Sequence, residues 1–351
     1  MQLITGIQLG GEEKIMTTDR ILMAHGSGGV MSQQLIDKVF KKSWNNTYLD
    51  PMMDGALLNL PPGKAVMSTD SFVITPLFFP GGDIGKLAVC GTVNDLLACG
   101  AKPLFLSAAF IIEEGFLIAD LEKIAASMAA TAAGAGVKIV TGDTKVVEKG
   151  SADGLFINTT GIGIISAGVE YRPDRIKAGD QIIVSGNVGD HGLAIMAKRE
   201  GISFTTPVLS DCAPLVDIAM VLEKYGDKIK CMRDPTRGGL ATVLNELAQQ
   251  SGCGILVKED IIPISPVVKG ACDMLGLDPL YMANEGKMVI FADADIAPQV
   301  ILELKSVPEA CNAAIIGEVI DDAREMVLLE TALGGQRILA MLEGENLPRI
   351  C

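Results

Sequence analysis

Residues 120–165 read DLEKIAASMAATAAGAGVKIVTGDTKVVEKGSADGLFINTTGIGII, and this stretch combines both kinds of secondary structure. Its first half has apolar residues at helical spacing, which predicts an amphipathic helix that begins at an Asp120 cap and ends near Gly136. These apolar residues are Leu121, Ile124, Ala125, Met128 and Ala132. The next run, VKIVT, predicts a strand with residues 142–145 at its end, and the β-branched run 155–165 predicts a longer strand. The mixture predicts an α+β domain.

A second α+β unit is predicted after a break at residues 171–174, YRPD. It begins with the strand-like run 181–186, and helices from Ser210 to Tyr225 and from Gly239 to Gly252 follow. The later strand-like runs are residues 281–292, 315–319 and 326–330. The 351 residues are therefore predicted to form an N-terminal extension (1–20), two domains (21–170 and 171–330) and a flexible tail (331–351).

The composition excludes several classes of protein. A net charge of −14 without a long Lys/Arg cluster argues against nucleic-acid binding. The eight cysteines include no C-x-x-C pair and are accompanied by two histidines, which makes a structural zinc site improbable. That cysteine pattern is typical of a reducing compartment, and no uncharged apolar run reaches the length of a membrane helix. The sequence, which shows no signal-peptide pattern, predicts a soluble cytoplasmic protein.

Four aspartates lie beside small residues in the first half of the chain, at Asp54, Asp70, Asp95 and Asp143. Mg²⁺ prefers hard oxygen ligands and commonly bridges carboxylates to phosphate oxygens. Each aspartate alone is more simply explained as a helix cap or a turn residue. The four together favour a magnesium–phosphate site.

Glycine-rich segments offer backbone amides to anions. The segment His25-Gly26-Ser27-Gly28 resembles a phosphate-binding loop, although such loops are more often merely flexible. The segment DPTRGG at residues 234–239 precedes a predicted helix, where the helix N-terminus and Arg237 could hold an anion.

Two further residues have the chemistry of proton transfer. Glu285 lies in an otherwise apolar predicted strand, where a raised pKa would suit a base near neutral pH. The simpler explanation is an edge-strand glutamate paired with Lys287. Lys145 follows Asp143 by two residues.

The last residue is Cys351, preceded by Arg349 and Ile350. A chain end is commonly mobile, so this thiol could enter a pocket, be modified there and leave again. The nearby arginine favours the nucleophilic thiolate and the terminal carboxylate opposes it. An unused thiol at a frayed end is the alternative.

Taken together, these motifs resemble the HypE family of hydrogenase maturation factors, in the superfamily of aminoimidazole ribonucleotide synthetase, selenophosphate synthetase and thiamine-phosphate kinase. The resemblance covers about residues 22–351, whereas residues 1–20 fall outside it. The matching motifs are HGSGG (25–29), STDS (68–71), PLFFPGGDIGKLAVCGTVNDLLACG (76–100), TGDTKVV (141–147), GDHG (189–192), RDPTRGG (233–239), NEGK (284–287) and PRIC (348–351).

The resemblance implies an ATP-dependent carbamoyl dehydratase with a two-domain aminoimidazole ribonucleotide synthetase-like fold. Its N-terminal domain would form a dimeric barrel-like core, beside a C-terminal α/β domain and a mobile tail. HypF would load a carbamoyl group onto Cys351, ATP would drive its conversion to a thiocyanate, and a HypC–HypD complex would accept the cyanide.

The resemblance also implies residue roles. Magnesium would be held by Asp54, Asp70, Asp95 and Asp143. ATP would contact His25, Gly26, Ser27, Gly28, Asp70, Asn94, Asp95, Asp143 and Thr144. Catalysis would use Cys351 with Glu285 or Lys145 as the base.

Two rival functions make different demands on these residues. A small-molecule kinase or phosphate-activating synthetase of the same superfamily needs the aspartates but not Cys351. A non-catalytic carrier of a group on its tail thiol needs Cys351 but not the aspartates.

Overall fold

The computed structural model describes residues 19–322, 324–344 and 349–351. Most of the predicted extension at 1–20 lies outside these residues. The strands are β1 (Ala65–Phe72), β2 (Phe78–Phe79), β3 (Gly82–Asp83), β4 (Ala101–Glu113), β5 (Lys138–Val147), β6 (Leu155–Ile165), β7 (Gln181–Val184), β8 (Ile229–Arg233), β9 (Gly254–Lys258), β10 (Val289–Ala292), β11 (Ala314–Ile320), β12 (Val327–Glu330) and β13 (Gln336–Ile338).

The helices alternate with these strands along most of the chain. They are α1 (Val30–Leu35), α2 (Lys42–Trp44), α3 (Ile84–Ala98), α4 (Ile118–Gly134), α5 (Asp190–Glu200), α6 (Val216–Glu223), α7 (Gly239–Ser251), α8 (Pro266–Leu275) and α9 (Ala297–Leu304). A π-helix, Ile36–Lys41, joins α1 to α2. Six short 3₁₀ turns complete the described helical structure: Met23–Gly26, Pro173–Arg175, Gly226–Lys228, Glu259–Ile261, Pro279–Tyr281 and Pro308–Ala310.

The first sheet has the strand order β1-β6-β4-β5, in which only β4 and β5 run parallel. Helix α3 packs on one face through a long row of fully buried residues, because it is apolar almost all round. The opposite face leaves Met67 71% exposed and Ile111 44% exposed. This sheet therefore has one covered face and one that still presents apolar side chains.

The second sheet has the order β13-β12-β9-β11-β7-β10-β8, and its described pairs are antiparallel except β12 with β9. Its interior strands are short and almost wholly apolar, as strands covered on both faces are. Buried residues of both sheets share one apolar cluster, so the two halves of the chain pack directly on each other.

Several sequence predictions are confirmed. The α+β architecture is present, β6 has the predicted bounds 155–165, and α7 fills residues 239–251 as expected.

The predicted domain boundary falls within residues 166–180, which connect β6 to β7, and the division into domains stays a prediction.

Among the described residues, no helix is both long enough and apolar enough to cross a membrane.

Other local predictions were wrong. Helix α4 begins one turn earlier than predicted, with Leu117 at its N-cap, so Asp120 lies in its first turn and pairs with Lys123. Residue Asp143 is in the middle of β5 rather than after it. Helix α6 begins at Val216 with Leu215 at its N-cap, and the Ser210 side chain is bonded to His191 rather than capping this helix.

Parts of the described tail pack against the rest of the chain. Strand β13 pairs with β12, Leu339 is fully buried, and Ile350 is 6% exposed. Residues 345–348 of the predicted flexible tail lie outside the described residues, and the tail's mobility stays a prediction.

Candidate active site between the two sheets

The chain terminus lies beside residues 73–75 in an antiparallel arrangement. The Val73 amide donates to the Cys351 carbonyl at 3.2 Å, and the Thr75 amide donates to the Arg349 carbonyl at 3.3 Å. Arg349 returns a bond from Nε to the Val73 carbonyl at 3.0 Å and pairs with Asp153. Backbone pairing of this kind fixes the register of the last three residues and thus the position of the terminal thiol.

The Cys351 side chain faces a cavity of about 610 Å³, here called the thiol cavity. Its polar lining includes Asp70, Ser71, Asn158 and Arg237. Burial, and next the charge of Glu285, raise the pKa of the Cys351 thiol to about 12, although Arg237 acts in the opposite direction. The docked sulfur is therefore a protonated thiol near neutral pH.

Arg237 links the two sheets at this cavity. Its Nη2 lies 3.2 Å from Asp70 Oδ1 on β1, and Arg237 itself belongs to the loop before α7. Hydrogen bonding and charge from the Cys351 sulfur raise the pKa of Arg237. One guanidinium thus pairs with a carboxylate and lines the same cavity as the tail sulfur.

Glu285 lies in the loop between the 3₁₀ turn Pro279–Tyr281 and β10, so its predicted placement in a strand was wrong. It is 3% exposed, and its Oε1 has no hydrogen-bond partner. Burial is the largest cause that raises the pKa of Glu285 well above its ordinary value, and charges of Cys212 and Asp234 add to it. The group is therefore a buried carboxyl with a high proton affinity and an unused acceptor atom.

The Glu285 loop is held by Asp211. The Asp211 carboxylate accepts the Glu285 amide at 3.0 Å and the Gly286 amide at 3.2 Å. Lys287 pairs with Asp211 at 3.3 Å, so the alternative in which Lys287 pairs with Glu285 was wrong. Neutralisation of Lys287 by Asp211 leaves the Glu285 carboxyl without a cationic neighbour from its own loop.

A neighbouring cavity of about 680 Å³, the carboxylate cavity, is lined by Asp70, Asp95, Asp234, Arg237 and Glu285. Ser68 Oγ donates to Asp95 Oδ2 at 2.6 Å, but burial has the larger effect and raises the pKa of Asp95. Burial, and next the charge of Asp95, raise the pKa of Asp234 to about 7. The carboxylates are close enough to disfavour each other's ionisation, an arrangement that a cation would relieve.

Asp234 was missed as a site residue. Its motif, DPTRGG, predicts an anion site formed by the helix N-terminus and Arg237. The acidic residue directly before the proline is the feature of the motif that could have indicated a role for Asp234. Because Asp234 lies 139 positions after Asp95 in the chain, only the fold reveals that they share a cavity.

The remaining predicted residues lie elsewhere. A third cavity of about 550 Å³, the glycine-loop cavity, is lined by His25, Gly26, Gly28, Asp54, Asp143, Thr144 and Lys145, with Phe40, Trp44 and Tyr48. Lys145 Nζ pairs with Asp143 at 2.9 Å. Within one chain, Lys145 thus lines a different cavity from Glu285 and Cys351.

Two of the residues predicted to contact ATP, Ser27 and Asn94, make hydrogen bonds within the protein. Ser27 Oγ donates to the Met23 carbonyl. Asn94 is buried, donates to the Ala213 carbonyl at 3.0 Å and accepts the Leu215 amide at 2.9 Å. Asn94 also lies 3.4 Å from the Glu285 carbonyl, so it supports the loop that carries the buried carboxyl.

The four predicted magnesium ligands divide into two pairs. Asp70 and Asp95 line the carboxylate cavity, whereas Asp54 and Asp143 line the glycine-loop cavity. Within residues 19–322, 324–344 and 349–351, no three metal-binding side chains come together as a preformed site. The oxygen chemistry of Asp70 and Asp95 fits Mg²⁺, which commonly takes one or two carboxylates and completes its shell with water and phosphate.

Comparisons with known proteins agree with this architecture. The family described as AIR synthase related protein, N-terminal domain, matches residues 52–165, and its C-terminal domain counterpart matches residues 177–330. The carbamoyl dehydratase HypE of Azotobacter vinelandii is 50% identical over 329 residues, which are 94% of this chain and 96% of that protein.

Solved structures give the same result. A crystal structure of the hydrogenase maturation protein HypE in complex with ATP matches with a TM-score of 0.91 and 47% identity, over 94% of this chain and 99% of that chain. The structure of a HypE–HypF complex matches with a TM-score of 0.78 and 51% identity, over 88% and 99% of the two chains. Since these matches span nearly the whole chain at about half identity, the chain belongs to the HypE family of carbamoyl dehydratases, within the AIR synthase related proteins.

Proposed function

We propose that this chain converts an S-carbamoyl group on Cys351 into a thiocyanate with ATP and magnesium. A HypF-type carbamoyltransferase would supply the carbamoyl group, and a HypC–HypD complex would take the cyanide for a nickel–iron hydrogenase. A HypE structure with ATP and a HypE–HypF complex support the ATP and the HypF assignments. The observation that carries the proposal is the terminal thiol, which backbone pairing holds beside Arg237, Asp70 and the buried Glu285.

The high pKa of the docked Cys351 supports a loading step in another tail position. A thiol is a weak nucleophile compared with its thiolate, and burial together with the Glu285 charge disfavours the thiolate inside the cavity. Carbamoyl loading is therefore proposed to occur with the tail outside. Conversion of the loaded group is proposed to occur with the tail inside.

Asp70, Asp95 and Asp234 are proposed to hold magnesium in the carboxylate cavity, which adjoins the thiol cavity. ATP, when bound, supplies the phosphoryl group that carries away the carbamoyl oxygen. Arg237 pairs with Asp70 and lines the same cavity as the Cys351 sulfur, so its guanidinium is placed to neutralise negative charge near the reacting group. These residues provide positioning and charge neutralisation, the main protein contributions in phosphoryl transfer.

Glu285 is proposed to accept one amide proton as the carbamoyl oxygen is phosphorylated. A carbamoyl NH₂ must lose two protons to become a nitrile, and the second leaves with the departing phosphate as hydrogen phosphate. The amide is weakly acidic, so the acceptor of the first proton needs a high proton affinity. Burial gives Glu285 that affinity, and its Oε1 has no competing partner among the described residues. Lys145 is the alternative base, but in this chain it lines the glycine-loop cavity.

The glycine-loop cavity is proposed to bind part of the nucleotide, through His25, Gly26, Ser27, Gly28, Asp143 and Thr144. Its aromatic wall offers an apolar surface to a base, and its amides and Lys145 offer partners to phosphates.

A homodimer through the half-exposed face of the first sheet is also proposed. The exposure of Met67 and Ile111 on that face supports it.

A cytoplasmic location completes the proposal. All eight cysteines are free thiols, including the exposed Cys99 and Cys311, which suits a reducing compartment.

The decisive experiment is intact-mass analysis of the protein after incubation with HypF, carbamoyl phosphate, ATP and magnesium. A mass gain of one carbamoyl group followed by loss of one water supports the proposal. A stable carbamoyl adduct in the presence of ATP would instead indicate a tail-thiol carrier. ATP turnover with a small molecule and an unmodified tail would indicate a kinase.

A further inference from the structure

His191, the second residue of α5, is completely buried and uses both ring nitrogens. Its Nε2 lies 2.8 Å from the Ile350 carbonyl oxygen, and its Nδ1 lies 2.8 Å from Ser210 Oγ. A carbonyl oxygen only accepts, so Nε2 carries the proton and donates it to Ile350. Nδ1 of the neutral ring then accepts from the Ser210 hydroxyl.

The bond reaches the residue directly before the reacting cysteine. Since the Ile350 carbonyl belongs to the peptide unit that leads into Cys351, the His191 bond orients that peptide plane. The ring of His191 is itself held, because Phe79 packs edge-on against it with ring centroids 5.7 Å apart. The His191 N–H donor is therefore held in place, and it contacts the tail at the residue before Cys351.

The partner of His191 belongs to a three-residue segment that also supports the proposed base. Ser210 Oγ accepts the Cys212 amide at 3.1 Å, and the Ser210 amide donates to the Pro80 carbonyl at 2.8 Å. Between them, Asp211 holds the amides of Glu285 and Gly286. Residues 210–212 thus connect the tail contact, the first domain and the Glu285 loop.

We propose that His191 is a positioning residue that clasps the docked tail and sets the reacting group of Cys351 against the Glu285 loop. The role in dehydration rests on the proposed function, whereas the clasp itself does not. The alternative is that His191 merely satisfies polar groups in the core. These two roles differ in what happens to the tail when the ring is replaced.

The clasp is tested by the rate at which iodoacetamide alkylates Cys351 in the free protein, without ATP or HypF, followed by mass spectrometry of the digested chain. His191→Phe keeps the ring volume but cannot donate, so it weakens docking. Loss of one such bond is expected to raise the alkylation rate of Cys351 roughly fivefold to tenfold. His191→Gln retains an amide donor and is expected to fall between His191→Phe and the wild type.

Internal thiols provide the controls. The exposed Cys311 should react at the same rate in all variants, and the buried Cys90 and Cys272 should stay protected while the fold is intact. If His191→Phe unfolds, as reaction of Cys90 would reveal, Ser210→Ala is the substitute, since it removes the hydroxyl that orients the ring. A folded His191→Phe or Ser210→Ala variant with wild-type alkylation of Cys351 would overturn the clasp.

Dehydration gives the second measurement, on protein already carbamoylated by HypF. His191→Phe should slow loss of water by a similar factor, with carbamoyl loading at least as fast as in the wild type, because loading is proposed to take place on the undocked tail. Wild-type protein that never loses water would refute the proposed function and leave the alkylation result standing. Normal dehydration in a variant with an exposed tail would refute the positioning role.

Discussion

Arg237 Nη2 lies 3.2 Å from Asp70 Oδ1, and this contact joins two residues that are 167 positions apart in the chain. The Arg237 side chain is 70% exposed, so the pair contributes little to stability, within about 1 kcal/mol. The exposure matters for function, because a solvent-reachable guanidinium can exchange one anion for another. In this state its paired carboxylate is Asp70, and the protonated tail thiol lies beside the same guanidinium.

Replacement of Arg237 by Gln should slow dehydration by about 10²-fold while carbamoyl loading continues. Removal of one preorganised hydrogen-bond donor at a site of developing charge typically lowers kcat by about 10²–10³-fold. The measurement is the rate of water loss from carbamoylated protein. Arg324→Gln is the matched control, since Arg324 is exposed, pairs locally with Asp322 and lines none of the three cavities. Equal rates in the two variants would remove Arg237 from the reaction.

Asp70→Asn should reduce ATP turnover by orders of magnitude with the fold intact. Asp70 lines both the thiol cavity and the carboxylate cavity, and loss of a proposed metal carboxylate would remove charge neutralisation from phosphoryl transfer. ADP release by the carbamoylated protein is the measurement.

Asp143→Asn tests the glycine-loop cavity in the same assay. We expect weaker nucleotide binding, because Asp143 holds Lys145 at 2.9 Å and both line that cavity. Unchanged ADP release in both aspartate variants would contradict the assignment of either cavity to the nucleotide.

Glu285→Gln should accept the carbamoyl group and bind ATP, yet dehydrate about 10²–10⁴-fold more slowly, the usual range for loss of a general base. If water is lost at the wild-type rate, Lys145 becomes the base.

The same variant has a pH signature. The pKa of Glu285 is raised in the folded state, so between its unfolded value, 4.5, and its higher folded value the folded protein binds more protons than the unfolded one. Its contribution to stability is therefore present below pH 4.5 and is lost as pH rises. Glu285→Gln mimics the protonated form, so it should match the wild type in melting temperature at acidic pH and exceed it at alkaline pH. A parallel loss of stability with pH in both proteins would contradict this.

Local sequence patterns predicted helices and strands best where many consecutive residues favour the same backbone conformation. Strand β6 has the predicted bounds because a β-branched run and its flanking turns all favour extended backbone. The sequence predicts a strand at the Glu285 loop because the neighbouring residues are apolar. In the fold, the Asn284 amide bonds the Pro235 carbonyl and the Glu285 and Gly286 amides bond Asp211 instead of a strand partner.

The site was predicted as a set of residues but not as an arrangement. Motifs singled out Asp70, Glu285 and Cys351, yet nothing local indicates that the Cys351 carbonyl bonds the Val73 amide. Such contacts depend on the packing of the two halves, which no short pattern encodes. For the same reason the motifs indicate neither the role of Asp234 nor the division of the four aspartates between two cavities of the chain.

Gly286→Ala should destabilise the protein by about 1–3 kcal/mol and slow dehydration. A Cβ at this position would lie 1.8 Å from the Asp211 carbonyl oxygen, so the loop that carries Glu285 has to move. Gly270→Ala is the control, because nothing lies within 4 Å of a Cβ at that position. Gly270 lies in the middle of α8, so alanine should raise the free energy of unfolding by about 0.5–1 kcal/mol. Thermal melting and water loss are measured on both. A Gly286→Ala variant as stable and active as wild type would show that the loop tolerates displacement.

Cys351→Ala is the strictest test of the mechanism. The sulfur is the proposed attachment point, so the variant should show neither carbamoyl loading nor thiocyanate formation by intact mass. Its free energy of unfolding should change by less than about 1 kcal/mol, because the backbone bonds to Val73 and the His191 contact to Ile350 do not involve the side chain. ATP binding should persist as well, since Asp70, Asp95 and the glycine-loop cavity are untouched. A carbamoyl adduct on Cys351→Ala would place the acceptor on another residue. ATP turnover that is indifferent to the substitution would favour a kinase whose substrate is not the tail.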